Sequence, residues 1–271
     1  MTDLNPQMAQ MADPSMIRTL DAQARAIWPQ EMPLFRRYGL SGALRILDAG
    51  CGTGEISSRL AALYPEATVL GVDVLDSTLA HARSRHAALA PRVTFENRSV
   101  FELGFADQSF DLTVCRHVVH SIPHADRVYA ELRRVTRRGG WLHLIPEDYD
   151  MLHFPRHEPD ARDFWYEAPE RFGEATETDL CVGRHTWAML NRLGLADIAV
   201  DYVIVDTVRV PRETFADILT AWRDGYVEAV AKVTHFTPAE TTAYFDRMID
   251  DIRDPDAYAV WMVPVVSARV P

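Results

Sequence analysis

Cysteine is scarce, with Cys51, Cys115 and Cys181 the only three in 271 residues. An odd number without paired spacing supports neither a disulfide framework nor a zinc site. Basic residues are in deficit, 28 against 39 acidic, for a net charge of −11. That balance argues against broad binding to nucleic acid or to an anionic membrane, both of which need a basic face. A local cluster, Arg133, Arg134, Arg137 and Arg138, reads as the solvated side of a helix and its end. No stretch approaches the ~18 apolar residues of a membrane span. The opening Met1-Thr2-Asp3-Leu4-Asn5-Pro6 has no basic-then-apolar signal, so a cytoplasmic protein is expected. Histidine is plentiful, yet no H-E-x-x-H or facial-triad spacing occurs. His153 and His157 are four apart near Asp148, Asp150, Glu158 and Asp160, but Pro155 between them opposes a helix that would align both rings. No metal is expected.

What is present centres on Ile46-Leu47-Asp48-Ala49-Gly50-Cys51-Gly52-Thr53-Gly54-Glu55. A short apolar run ending in an acid reads as a buried parallel strand. Ile56, Leu60 and Leu63 follow at helical spacing, so Gly50, Gly52 and Gly54 form a strand-to-helix turn where a ligand can touch bare main chain. Leu70-Gly71-Val72-Asp73 is a second strand, and Asp73 at its carboxyl end is suited to accept hydrogen bonds from the two hydroxyls of a ribose. Turn and carboxylate together point to a nucleoside-bearing cofactor. A dinucleotide fingerprint needs G-x-G-x-x-G, and counting from Gly50 or from Gly52 the sixth position is Glu55 or Ser57. The absence of that register, and of a Tyr-x-x-x-Lys pair, weighs against the alternative of a nicotinamide-dependent oxidoreductase.

The pattern D-x-G-x-G-x-G resembles the class I S-adenosylmethionine-dependent methyltransferases, most closely the small-molecule group that includes ubiquinone and menaquinone biosynthesis enzymes. The resemblance runs from about Arg45 to Ile145. Phe110-Asp111-Leu112-Thr113-Val114 matches the fourth strand, and Arg116-His117-Val118-Val119-His120 the segment after it. Glu131-Leu132-Arg133-Arg134-Val135 and Gly139-Gly140-Trp141-Leu142 resemble the following helix and fifth strand. The resemblance implies that S-adenosyl-L-methionine is the cofactor. It implies contacts from Asp48, Gly50, Cys51, Gly52 and Gly54 in the turn, from Asp73 to the ribose, from Val74 to the adenine, and from Arg116. Asn97-Arg98-Ser99-Val100 replaces the usual G-D-A, so Ser99 stands where an acid is common and backbone around Val100 is the substitute.

The fold expected is α/β: a doubly wound, mostly parallel, seven-stranded Rossmann-like sheet with an antiparallel last strand and a helical lid. Residues 42–146 form the cofactor-binding core, with strands at 45–48, 68–72, 93–95, 111–115 and 140–145 and helices near 54–64, 76–89 and 125–136. Residues 1–41 form a leading lid segment, in which Ser15 caps a helix stopped by Pro29 and a short helix covers Pro33 to Tyr38. Arg18 and Arg25 there are candidates to meet the methionyl carboxylate. Residues 147–190 and 207–256 are lid and acceptor-binding insertions, the stretch 147–180 being a long irregular segment rich in aromatics. Residues 191–206 and 257–271 close the sheet.

Methyl transfer needs alignment first, and a base only where the acceptor carries a proton. His117 and His120 after the fourth strand, and Glu147 after the fifth, are the catalytic candidates. The acceptor expected is a small organic molecule methylated at oxygen or nitrogen, with no nucleic-acid or membrane partner; a homodimer is compatible with the sequence. A non-catalytic S-adenosylmethionine-binding protein is the remaining alternative.

Overall fold

The computed structural model describes residues 4–271. The first three residues of the leading segment lie outside the described residues. Five parallel strands, β1 (Arg45–Ala49), β2 (Thr68–Asp73), β3 (Val93–Asn97), β4 (Phe110–Arg116) and β5 (Thr136–Ile145), form the centre of the sheet. The strand order along the main path is β3-β2-β1-β4-β5-β8-β6, where β6 is Leu152–His153 and β8 is Val260–Arg269. β8 runs antiparallel to β5 and to β7 (Ala196–Asp206), which lies off that path. The sheet thus has eight strands, one more than expected, because the two residues of β6 hydrogen-bond to Val260 and Trp261 beyond the end of β5. β1 and β4 are adjacent although β2 and β3 intervene in sequence. That reversal opens a crevice above the carboxyl ends of β1 and β4, which is where open α/β sheets bind ligands.

Helices α3 (Glu55–Leu63), α4 (Asp76–Arg85) and α5 (Ala125–Val135) connect these strands and cover the sheet. Two apolar clusters pack on its faces, one built around Leu60, Leu79 and Ile46, the other around Tyr129, Leu132 and Leu142. α7 (Gly183–Arg192) belongs with the second.

A third cluster packs against the β7–β8 part of the sheet, through Val203, Val205, Val263 and Val265. It joins α2 (Pro14–Phe35), α6 (Ala161–Thr176), α8 (Arg212–Ala231) and α9 (Pro238–Arg253) through Ile27, Phe164, Phe215, Trp222, Met248 and the fully buried Trp261 of β8. α9 starts with a capping box between Thr237 and Glu240, as its T-x-x-E sequence dictates. No described helix is long and apolar enough to cross a membrane.

Three expectations are corrected here. The leading helix is capped by Asp13, which accepts from Ser15 N at 2.8 Å, and it runs through Pro29 and Pro33 to Phe35. Each proline removes one backbone bond, but Ile27 and Phe35 are fully buried, and the Gln30 side chain bonds both Ile204 O and Ile204 N at 2.8 and 3.2 Å. Packing across the prolines outweighs their local cost. The supposedly irregular 147–180 contains α6, capped by Asp160, whose apolar face (Phe164, Trp165, Ala168, Phe172) is broken in sequence by Pro169. The alternation of Ile198 to Val210 suggests a strand over that whole stretch, but the strand begins at Ala196 and ends at Asp206, where the acid accepts from Val208 N and Arg209 N and turns the chain.

Candidate active site

The glycine turn leaves β1 in a conformation that L side chains rarely adopt, with φ of +77° at Gly50 and +50° at Gly52. A Cβ on Gly50 would meet Val118 Cγ2 at 2.2 Å, and one on Gly52 would meet Leu20 at 2.7 Å. The turn is tied to β2, since Gly50 N and Cys51 N both donate to Val72 O at 2.8 and 2.9 Å. Gly52 N donates to Asp73 Oδ2 at 2.9 Å, and Leu75 N donates to Oδ1 at 3.0 Å. Burial pushes the Asp73 carboxyl up, against these backbone donors. Asp48 accepts from the Ser57 hydroxyl at 2.6 Å, and burial raises it to about 6.

Above the turn lies a cavity that opens to solvent. Gly50, Gly52, Asp73, Val74, Val100, Arg116 and His117 line it, and Met8, Met11, Met16 and Leu20 cover it from α1 (Met8–Met11) and α2. A smaller pocket beside it is lined by Asp48, Cys51, Glu55, Arg116 and His117. Gly54 and Ser99 line neither. Gly54 starts α3 at φ +77°, where a Cβ would strike the Phe95 ring at 2.6 Å, so its smallness serves packing. The Ser99 hydroxyl accepts from Phe101 N at 3.3 Å inside a turn. Arg98 and Val100, on either side of it, face the cavity instead.

Arg116 is 8% exposed, and its Nε lies 2.8 Å from Glu31 Oε1 on α2. The pair is charge on charge without hydrogen-bond alignment, and Arg116 Nη2 is buried with no partner. Glu31 also accepts from His143 Nε2 at 2.9 Å, while the Tyr38 hydroxyl meets His143 Nδ1 at 2.6 Å. Burial drives the Glu31 carboxyl up, but Arg116 and His143 outweigh it and leave it below its usual value. Arg18 and Arg25 do not reach this region. They pair at the surface, Arg18 with Asp224 at 2.6 Å and Arg25 with Asp21 at 2.6 Å, because α8 presents acids along that side of α2.

The three catalytic candidates are not gathered on one cavity. His117, at φ +55°, lines the cavities above the turn. Its Nδ1 bonds Glu147 Oε1, so one proton lies between them. Burial holds His117 down to about 3 and pushes Glu147 up to about 7. Glu147 is fully buried and lines neither cavity, because its side chain turns inward to His117 from the end of β5.

His120 instead lines a second, narrow cavity beneath α6 and α8. Its ring meets Tyr149 edge-on at 5.6 Å, and Tyr149 stacks on Trp165 with planes 2° apart. Trp222 closes edge-on against both. Burial lowers His120 to about 4, so the ring is neutral at neutral pH. Gln7 lines both cavities. Neither Gln7 nor Glu31 was legible as a site residue, since each is an isolated polar residue outside the motifs.

Among the described residues, Asp148, Asp150 and Cys181 come close enough to share an ion, but Arg184 already bridges the two acids, at 2.8 and 2.7 Å. His153 and His157 do not converge; His157 lies 3.2 Å from Asp251 instead.

A family described as a methyltransferase domain matches residues 46–140. The trans-aconitate 2-methyltransferase of Deinococcus radiodurans is 32% identical over 158 residues, 57% of this chain and 59% of that one. A ubiquinone/menaquinone biosynthesis C-methyltransferase from Syntrophotalea carbinolica is 33% identical over 110 residues, 41% of this chain and 46% of that one. The chain spans between 25% and 59% of the length of the first curated relatives that it matches. Among solved structures, Haemonchus contortus phosphoethanolamine N-methyltransferase 2, in complex with phosphomonomethylethanolamine and S-adenosylhomocysteine, covers all of this chain with a TM-score of 0.64 at 19% identity. The chain corresponds to 61% of that protein. The [4+2]-cyclase SpnF covers 100% of this chain and 97% of its own, with a TM-score of 0.59 at 23% identity. Turn, carboxylate, strand order and match agree: residues 46–140 are similar to a methyltransferase domain, set in the α/β fold that the solved methyltransferase structures share.

Proposed function

We propose that the chain binds S-adenosyl-L-methionine above the glycine turn and transfers its methyl group, by in-line displacement, to an oxygen or nitrogen of a small organic acceptor in the aromatic cavity. The residues fit the cofactor in chemistry. Each Asp73 oxygen accepts one backbone hydrogen and retains lone-pair capacity for ribose hydroxyls. The orphaned Nη2 of Arg116 is a buried cation facing the cavity, suited to a carboxylate. When bound, the sulfonium supplies an activated methyl group.

The chain's own contribution is alignment and exclusion of water, and proximity of this kind is worth up to ~7–11 kcal/mol in well-oriented reactions. α2 and the helices α6, α8 and α9 act as the lid. His120, neutral and at the acceptor cavity, is the base where the acceptor carries a proton, and His117 with Glu147 holds the floor between the cavities. The observation that carries the reading is the pair of cavities sharing Gln7: one lined by the glycine turn and Asp73, the other by aromatic rings and His120.

Calorimetry with S-adenosylmethionine, S-adenosylhomocysteine and NADH tests the cofactor. Heat with the first two and none with NADH is expected, and the reverse pattern restores the nicotinamide alternative. Mass spectrometry across an acceptor panel tests transfer, and a protein that binds the cofactor but methylates nothing is the non-catalytic alternative. His120→Ala is expected to lower turnover on hydroxyl acceptors by about a hundredfold.

A further inference from the structure

Gln7 stands where the two cavities meet. It is 2% exposed, and the Tyr226 hydroxyl donates to its Oε1 at 3.2 Å. Its Nε2 is buried with no partner. His120 lines the same aromatic cavity, 5% exposed, and its Nδ1 is likewise buried without a partner. Buried polar atoms are rarely left unsatisfied, because each keeps an uncompensated desolvation cost. Two such atoms in a cavity otherwise walled by Tyr149, Phe164, Trp165, Trp222 and Phe245 are positions for a ligand to complete.

The two atoms ask for complementary things. An amide nitrogen is a donor only, and the Nδ1 of a neutral histidine protonated at Nε2 is an acceptor. No charged side chain lines the cavity to offset an ammonium or a carboxylate. We propose that the aromatic cavity takes a neutral, apolar, ring-containing molecule bearing a hydroxyl, whose oxygen accepts from Gln7 Nε2 and whose proton is donated to His120 Nδ1. This rests on the assignment of the neighbouring cavity to S-adenosylmethionine and narrows the acceptor atom to oxygen.

The step balances. The hydroxyl proton moves to His120 Nδ1, and an oxygen lone pair forms the new O–CH3 bond. The S–CH3 bond breaks with its electron pair left on sulfur, so the sulfonium becomes a neutral thioether. Gln7 is a specificity-determining residue in this scheme, and its role shows in the preference for a hydroxyl rather than in the fold.

Calorimetry on the full chain tests it, first with S-adenosylhomocysteine alone, then with that ligand saturating and either 2-naphthol or 2-methylnaphthalene added. The naphthol is expected to bind about tenfold more tightly, the worth of well-placed hydrogen bonds to buried partners. Gln7→Leu and His120→Phe, each checked for folding by its melting curve, are each expected to erase most of that preference. Equal affinity for the two probes, a preference that survives both substitutions, binding of neither probe, or methylation of 2-naphthylamine but not of 2-naphthol would overturn the hydroxyl site. Absence of heat with S-adenosylhomocysteine alone would instead overturn the cofactor assignment on which it rests.

Discussion

Glu31 on the leading helix and Arg116 at the end of β4 are 85 positions apart in sequence and lie 2.8 Å apart in the fold, Glu31 wholly buried. With His143 and Tyr38 they form a buried polar chain beneath the glycine turn. The arrangement fixes the helix that covers the cavity above the glycine turn to the strand whose Arg116 lines it.

Removing one member of a buried ion pair leaves the other charge uncompensated, at a cost of about 3–5 kcal/mol. Glu31→Ala is therefore expected to lower stability by that amount. A Glu31→Ala, Arg116→Met double variant, carrying no orphaned charge, is expected to recover much of it. Urea unfolding of the two proteins makes the comparison, and a double variant no more stable than the single one would show that the pair does not act as a charge unit.

Asp73 links the two halves of the cofactor motif, holding Gly52 N and Leu75 N with its two oxygens. Asp73→Ala removes both acceptors and, with them, the proposed ribose contact. Affinity for S-adenosylhomocysteine is expected to fall by at least about tenfold, the equivalent of about 1.4 kcal/mol. A change within about threefold, measured by calorimetry, would contradict the ribose assignment.

Gly50 cannot carry a side chain without displacement, since its φ is +77° and a Cβ would fall 2.2 Å from Val118 Cγ2. Gly50→Ala combines about 1–2 kcal/mol of left-handed strain with a clash against the segment leading to His120. Both the thermal midpoint and cofactor binding are expected to drop. A variant that binds S-adenosylhomocysteine as tightly as the natural protein would show that the turn does not need its bare main chain.

Stability should depend on pH through opposing groups. Glu147 is raised by burial from 4.5 to about 7, so across that window the folded protein keeps a proton that the unfolded chain has released, and this group's contribution falls as pH rises. Asp48 acts in the same direction between 3.8 and about 6. His117 and His120 are lowered from 6.5 to about 3 and about 4, so their contribution is present above 6.5 and is lost as pH falls toward those values. Glu147→Gln keeps an acceptor for His117 Nδ1 but removes the carboxyl. Relative to the natural protein, this variant is expected to gain stability steadily between about pH 4.5 and 7, as read from urea midpoints. Parallel pH profiles would mean that Glu147 titrates at its ordinary value.

The sequence by itself determined the core. A glycine turn after a short apolar strand, an acid ending the next strand and the alternation of periods of two and 3.6 are local signals, and they specify β1 to β5 with their helices because neighbouring residues alone satisfy them. Tertiary structure decided the covering layer and the division of the candidate residues. The leading helix passes two prolines because Ile27, Gln30 and Phe35 find partners on strands and helices distant in sequence, which no local rule registers. Likewise folding turns Glu147 and His120 to different places: the acid inward to His117, the histidine toward the aromatic rings. Residue type and spacing name the groups able to do chemistry. Which of them meet, and around which cavity, depends on contacts among segments that the chain brings together only when it closes.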